Sequence, residues 1–160
     1  MNYYVNWVDD VLNNPYEYVE DVLKKPFEDI KDGDKTFKNI QVRENDEFQQ
    51  IVQSYFPQYK VNYNFIRKSP YKQKEPNFVH SDEMMGDKTA LLYLNKLYPK
   101  EAGTTIYENK TPMCKLFYKF NRMVIFDSYF LHSRNLYDNF GEHNNSRLIQ
   151  VIFLQKLDYK

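Results

Sequence analysis

From residue 61 to the end, the chain consists of short apolar runs with turn residues between them, and no stretch of that half has helical spacing. Val61, Tyr63 and Phe65 alternate with Asn62 and Asn64, the two-residue period of a half-buried strand. Further strand candidates lie at 79–82, 89–94, 104–107, 115–120, 122–126 and 147–154. Parallel strands need long crossovers, usually helices, and this half offers none. The pattern therefore predicts antiparallel sheets packed as a sandwich or jelly roll.

The first third has a different period. Asn14, Pro15 and Glu17 read as a cap, a first-turn proline and a capping acid, and Val19, Val22 and Leu23 share one helical face. After a turn at Lys31-Asp32-Gly33-Asp34, a second helix is expected from Asn45. Phe48, Ile51, Val52 and Tyr55 fall at helical spacing there, and Pro57 ends it. The expectation is a single domain over 1–160, mainly β with N-terminal helices (α+β): a helical cover at 1–58 over a jelly-roll core, the double-stranded β-helix, at 59–157.

With 160 residues the chain can bury one substantial core. Lys plus Arg and Asp plus Glu both total 22, a balance that argues against a general nucleic-acid or membrane-surface binder. The single cysteine, Cys114, excludes an internal disulfide and thiolate zinc sites. The start Met1-Asn2-Tyr3-Tyr4 has no basic region leading into an apolar run, so a cytoplasmic location is expected. With 15 Tyr in the chain, any one of them is read first as a packing residue.

Two histidines and an acid stand out against this background. Phe78-Val79-His80-Ser81-Asp82 places an imidazole and a carboxylate two positions apart, on one face of an extended strand. His132 follows at long range, after the apolar segment at 122–126 and a turn. Two histidines and one carboxylate form the facial triad that holds Fe(II) and leaves the opposite positions open. The third histidine, His143, lies in the polar stretch Gly141-Glu142-His143-Asn144-Asn145 and reads as solvated. Arg147 opens the last apolar strand, where a buried guanidinium requires a partner. At the strand's solvent end that partner is Glu142 or Asp138. The loop at 67–74, with Arg67, Lys68, Lys72, Lys74 and Tyr71, reads as a solvated loop near the metal segment, or as a site for an acidic peptide, a phosphate or nucleic acid.

Taken in order, these segments resemble the Fe(II)/2-oxoglutarate-dependent dioxygenases, in particular the prolyl-hydroxylase branch. His80-Ser81-Asp82 is similar to the family's metal motif, and Leu92-Tyr93-Leu94-Asn95 to a tyrosine-leucine-asparagine strand. Ala102-Gly103-Thr104-Thr105-Ile106-Tyr107 is similar to its glycine-rich segment. Val124-Ile125-Phe126-Asp127-Ser128 before His132, and Arg147-Leu148-Ile149-Gln150-Val151, resemble its last two elements. The resemblance spans roughly 60–155. It implies that His80, Asp82 and His132 bind Fe(II), that Arg147 binds the distal carboxylate of 2-oxoglutarate, and that Tyr93 adds a phenol hydrogen bond to that carboxylate.

The resemblance further implies O2 as co-reactant, a hydroxylated product and an unidentified primary substrate, a peptidyl (prolyl) side chain or small molecule ahead of nucleic acid. Three departures concern the cosubstrate end. The gap from His132 to Arg147 is longer than in many relatives and leaves Arg134 as an alternative, Ile149 stands where some branches have serine, and Glu101-Ala102-Gly103 replaces a double glycine. Two rival classes remain open: a cupin-like metal-binding jelly roll that does not use 2-oxoglutarate, and a non-enzymatic interaction module with His80 and His132 as core residues.

Overall fold

The computed structural model describes residues 4–74 and 79–158, and Pro76 and Phe78 lie outside the described residues. Ten strands and two α-helices follow in the order β1 (Val5–Val8), α1 (Pro15–Leu23), β2 (Glu28–Asp32), β3 (Lys35–Val42), α2 (Glu47–Tyr55), β4 (Tyr59–Ser69), β5 (Lys88–Tyr93), β6 (Gly103–Glu108), β7 (Thr111–Phe117), β8 (Met123–Asp127), β9 (Leu131–Arg134) and β10 (Arg147–Lys156). A short 3-10 turn, His143–Asn145, precedes β10. The larger sheet runs β1-β8-β5-β10-β4-β3-β2 and the smaller β7-β6-β9, with every pairing antiparallel. Mainly β with helices near the N-terminus, the architecture is the expected jelly roll.

Alternation on the larger sheet separates two cores. Ile66, Ala90, Leu92, Met123, Ile125, Leu148, Ile152 and Leu154 face α1 and α2 and meet Val19, Val22, Phe48 and Val52. Tyr93, Val124, Phe126 and Ile149 face the opposite way and pack with Ile106 and Leu116 of the smaller sheet. Fully burying a side chain such as Phe48 stabilises the fold by about 2–3 kcal/mol. β10 lies between β5 and β4 and is covered on both faces, which explains its nearly unbroken apolar sequence.

Gln150 interrupts that run without cost because its amide is satisfied under the helices. It donates to Asp46 at 2.9 Å and Asn64 at 2.7 Å, and accepts from the Tyr18 hydroxyl at 2.6 Å. Asp46 also caps α2, accepting from the Gln49 N–H at 3.0 Å, and pairs with Arg43 at 2.8 Å. The second helix thus starts from Asp46 rather than Asn45. At the first helix Asn14 holds the cap position, but its side chain bonds Glu17 instead of the backbone.

The first third is less helical than its apolar spacing suggests, since β1, β2 and β3 all join the larger sheet. The expected turn at Lys31–Asp34 is the tip of the β2–β3 hairpin. The segment at 67–74 is likewise only partly a loop, because β4 continues to Ser69. The edge strand β7 occupies Thr111–Phe117, earlier in sequence than the expected 115–120, and its Pro112 is compatible with an edge.

Gly103 opens β6 with φ +132°, and a Cβ there would run into the Leu116 carbonyl oxygen and the Tyr118 nitrogen. Only glycine allows β6 and β7 to approach this closely. Cys114 is half-buried and makes no disulfide. No helix among the described residues is long and apolar enough to cross a membrane.

Candidate metal centre

His80 and His132 lie directly opposite each other in an isolated antiparallel bridge, with His80 N–H to His132 O at 3.1 Å and His132 N–H to His80 O at 2.8 Å. The main chain therefore sets the two imidazoles side by side, 4.3 Å between ring centroids. After His80 the chain does not continue as the expected strand. The Asp82 N–H bonds Ser128 O at 2.8 Å, and a turn closes from Met85 N–H to Asp82 O at 2.8 Å. The carboxylate at the start of this turn lies against the Nε2 atoms of both rings. His132 follows the expected order of apolar strand, turn and histidine: β8 leads into a turn at Asp127–Phe130, and the histidine then sits inside the short strand β9.

The resulting geometry is compact. Asp82 Oδ1 lies 3.4 Å from His80 Nε2 and Oδ2 lies 3.1 Å from His132 Nε2, and ligand atoms of all three residues fall within 4.8 Å of one another. Donors bound at right angles to one ion at about 2.1 Å stand roughly 3 Å apart. Two neutral imidazole nitrogens and a carboxylate suit a first-row divalent ion. Among the described residues this is the one cluster of three His, Cys, Asp or Glu side chains with such spacing.

The surroundings prepare the donors. His132 Nδ1 is 3.3 Å from the Phe130 carbonyl, so with an ion bound a proton held there would leave Nε2 as the lone-pair donor. Its ring packs on Phe126 at 4.8 Å. Thr89 Oγ1 donates to Asp82 Oδ2 at 3.2 Å and is 2.9 Å from Ser128 Oγ. Burial alone would raise the Asp82 carboxyl, but hydrogen bonds from His132 and His80 outweigh it and hold the group well below the usual carboxylate range. Asp82 and His132 retain only 13% and 10% side-chain exposure, whereas His80 retains 41%, so the cluster opens on the His80 side.

Arg147 opens β10 opposite Ser69 of β4, and its own N–H bonds Phe140 O at 2.9 Å. Alternation places it on the face of Ile149 and Val151, toward the smaller sheet. Tyr93 is fully buried on that face and its hydroxyl is 2.7 Å from Thr104 Oγ1. Burial pushes the Tyr93 phenol up to about 12, against the opposing pull of the Thr104 hydrogen bond and the Arg147 charge. The row Thr89, Leu91, Tyr93 thus connects the His-Asp-His cluster to the Arg147 end along one face of β5. Arg134 donates to Asn139 Oδ1 at 2.7 Å, and His143 begins the exposed 3-10 turn away from the cluster.

Nothing in the sequence marks Thr89 and Ser128 as site residues, since hydroxyls carry no spacing signature. Arg67 was assigned to a loop but lies on β4, opposite Ile149. Its two-residue offset from Phe65 was the available signal.

No known protein family's sequence pattern matches the chain, and no curated protein matches it. Among solved structures, the fold is similar to that of SnoN, described as a non-heme alpha-ketoglutarate-dependent epimerase from nogalamycin biosynthesis. The TM-score is 0.64 at 11% identity, covering 92% of this chain and 76% of that one. The jelly-roll architecture is common to both.

Proposed function

We propose that the chain is an Fe(II)- and 2-oxoglutarate-dependent oxygenase that hydroxylates a C–H position of its substrate. One observation carries this reading: a His80, Asp82 and His132 donor set with ion-binding spacing lies against Thr89 at one end of a face of β5, and Tyr93, within reach of the Arg147 charge, stands at the other end. The similarity of fold to an enzyme described as 2-oxoglutarate-dependent supports it.

Each residue then has a physical duty. His80, Asp82 and His132 would hold Fe(II) by Nε2, carboxylate and Nε2, with Thr89 and Ser128 fixing the carboxylate. When bound, iron with 2-oxoglutarate and O2 supplies the oxidising power to break a substrate C–H bond. Arg147 would grip the distal carboxylate through a planar fork that stays protonated. The Tyr93 phenol stays neutral at physiological pH and can donate a hydrogen bond. The exposed side of His80 is the side from which substrate would approach.

Hydroxylation of a peptidyl side chain rests on the resemblance of the Tyr93-Leu94-Asn95 strand to prolyl hydroxylases. A stereochemical inversion is the second reading, favoured by the epimerase description of SnoN. Product mass separates them, since hydroxylation adds one oxygen and epimerisation adds none.

The primary test is anaerobic titration with Fe(II) and 2-oxoglutarate, following the visible charge-transfer band of the chelate. The band is expected in the native protein and absent in Asp82→Ala and His132→Ala. Persistence in either variant refutes the ligand assignment. Metal binding without any 2-oxoglutarate binding would favour the cupin-like alternative.

A further inference from the structure

The chemistry proposed above leaves Arg67 without a duty, and its setting demands one. β4 presents Arg67 between Ile40 of β3 and Ile149 of β10, both nearly inaccessible to solvent. Its Nε is buried and has no hydrogen-bond partner among the described residues. Arg67 as a whole is half-buried, but an inaccessible N–H without an acceptor is costly, so an acceptor from outside the chain is the physical expectation.

A second cation sharpens the point. Arg147 is two residues from Ile149 on the same face of β10, which makes it the diagonal neighbour of Arg67 at roughly 7–8 Å between backbones.

The charge of Arg147 acts on Tyr93 and Tyr118, on the β5 side, whereas Arg67 lies across β10 on the β4 side. A cosubstrate held by Arg147 and Tyr93 would therefore occupy the β5 side. Outward from Arg67 the same face becomes accessible, with Val42 65% and Tyr63 52% exposed.

We propose that Arg67 recognises an oxyanion, a carboxylate or a phosphate, on the primary substrate. The proposal rests on the oxygenase reading for which molecule arrives there, and it narrows the substrate class to small anionic molecules or acidic side chains.

The test uses full-length protein saturated anaerobically with Mn(II) and 2-oxoglutarate, titrated with inorganic phosphate and separately with acetate by calorimetry or NMR. Wild type is expected to bind at least one anion in the millimolar range. Arg67→Gln should weaken that binding about tenfold or more, Arg67→Lys should retain part of it, and the 2-oxoglutarate Kd should change by less than about twofold in both. Selectivity for phosphate or for acetate identifies the substrate's group.

Anion binding that is absent, or unchanged in Arg67→Gln, overturns the proposal. So does an approximately tenfold loss of 2-oxoglutarate affinity in that variant, which would make Arg67 a second cosubstrate clamp. A stability readout is independent of any ligand. Arg67→Met removes the inaccessible N–H that lacks an acceptor and should melt at or above the wild-type temperature, and a fall of several degrees would assign Arg67 a structural role instead. If wild type binds no 2-oxoglutarate yet takes up anions through Arg67, the oxygenase reading fails and the anion site stands.

Discussion

His80 and His132 exchange two main-chain hydrogen bonds, at 3.1 and 2.8 Å, and Asp82 closes against both rings through its carboxylate. The donor set is held by backbone pairing and by a turn, so an ion would find it largely assembled.

A preassembled site predicts stabilisation by metal alone. Mn(II) at a hundredfold excess over its Kd should add about 2.7 kcal/mol, since only the native state offers the site. For a domain of this size that raises Tm by roughly 5–10 °C. Differential scanning fluorimetry should show the rise in wild type and its loss in Asp82→Ala. No metal-dependent shift in wild type would favour the non-enzymatic alternative.

Arg147→Gln should leave the Mn(II) Kd within about twofold of wild type and weaken 2-oxoglutarate by roughly 100-fold, the scale of losing one partner of a desolvated charge pair. Calorimetry on the metal-loaded protein measures both. Equal loss of metal and cosubstrate binding would show that the strand, rather than the guanidinium, had been damaged.

Asp46 predicts a pH dependence of stability. Burial would raise its carboxyl, but Arg43, the Gln49 N–H and Gln150 together hold it below the value it has in the unfolded chain. The native state therefore binds protons less readily than the unfolded chain. The contribution of Asp46 is complete above that unfolded value and is lost as pH falls from about 4 through the lower native value. Asp46→Asn should lower stability by about 3 kcal/mol at neutral pH by leaving the Arg43 charge without its carboxylate, and its denaturant midpoint should fall less steeply than wild type below about pH 4.

Gly103→Ala should destabilise by about 2 kcal/mol or more, because the added methyl meets backbone rather than a yielding side chain. β6 pairs with β9, so the lesion should also weaken Mn(II) binding through His132. Urea titration and metal titration on one sample test both effects.

The parts of the fold with a strong local period were legible. β4, β5, β6, β8 and β10 alternate or run apolar over several residues, so the sandwich could be inferred from them. β2 could not be read in this way: Glu28-Asp29-Ile30-Lys31-Asp32 is nearly all polar and exposed, and only pairing with β3 makes it a strand. β9 is four residues long, with His132, Ser133 and Arg134 in it, too short and polar to show a period. At the site, ligand types two residues apart are a local signal and suggested His80 with Asp82. The contacts of Thr89 and Ser128 to that acid come from chain crossings that no local spacing encodes. Arg67 was obscured by its polar sequel, Lys68-Ser69-Pro70, although the parity of Tyr63 and Phe65 runs directly into it.

β10 has a different consequence. Gln150 faces the helices and is tied to Tyr18, Asp46 and Asn64, while Arg147 and Ile149 of the same strand face the opposite layer. The helical cover and the layer facing the smaller sheet therefore share a single strand. A disturbance of α1 or α2 that shifts this strand carries the guanidinium with it, so cosubstrate affinity should report on lesions at the back of the molecule that never touch the cleft.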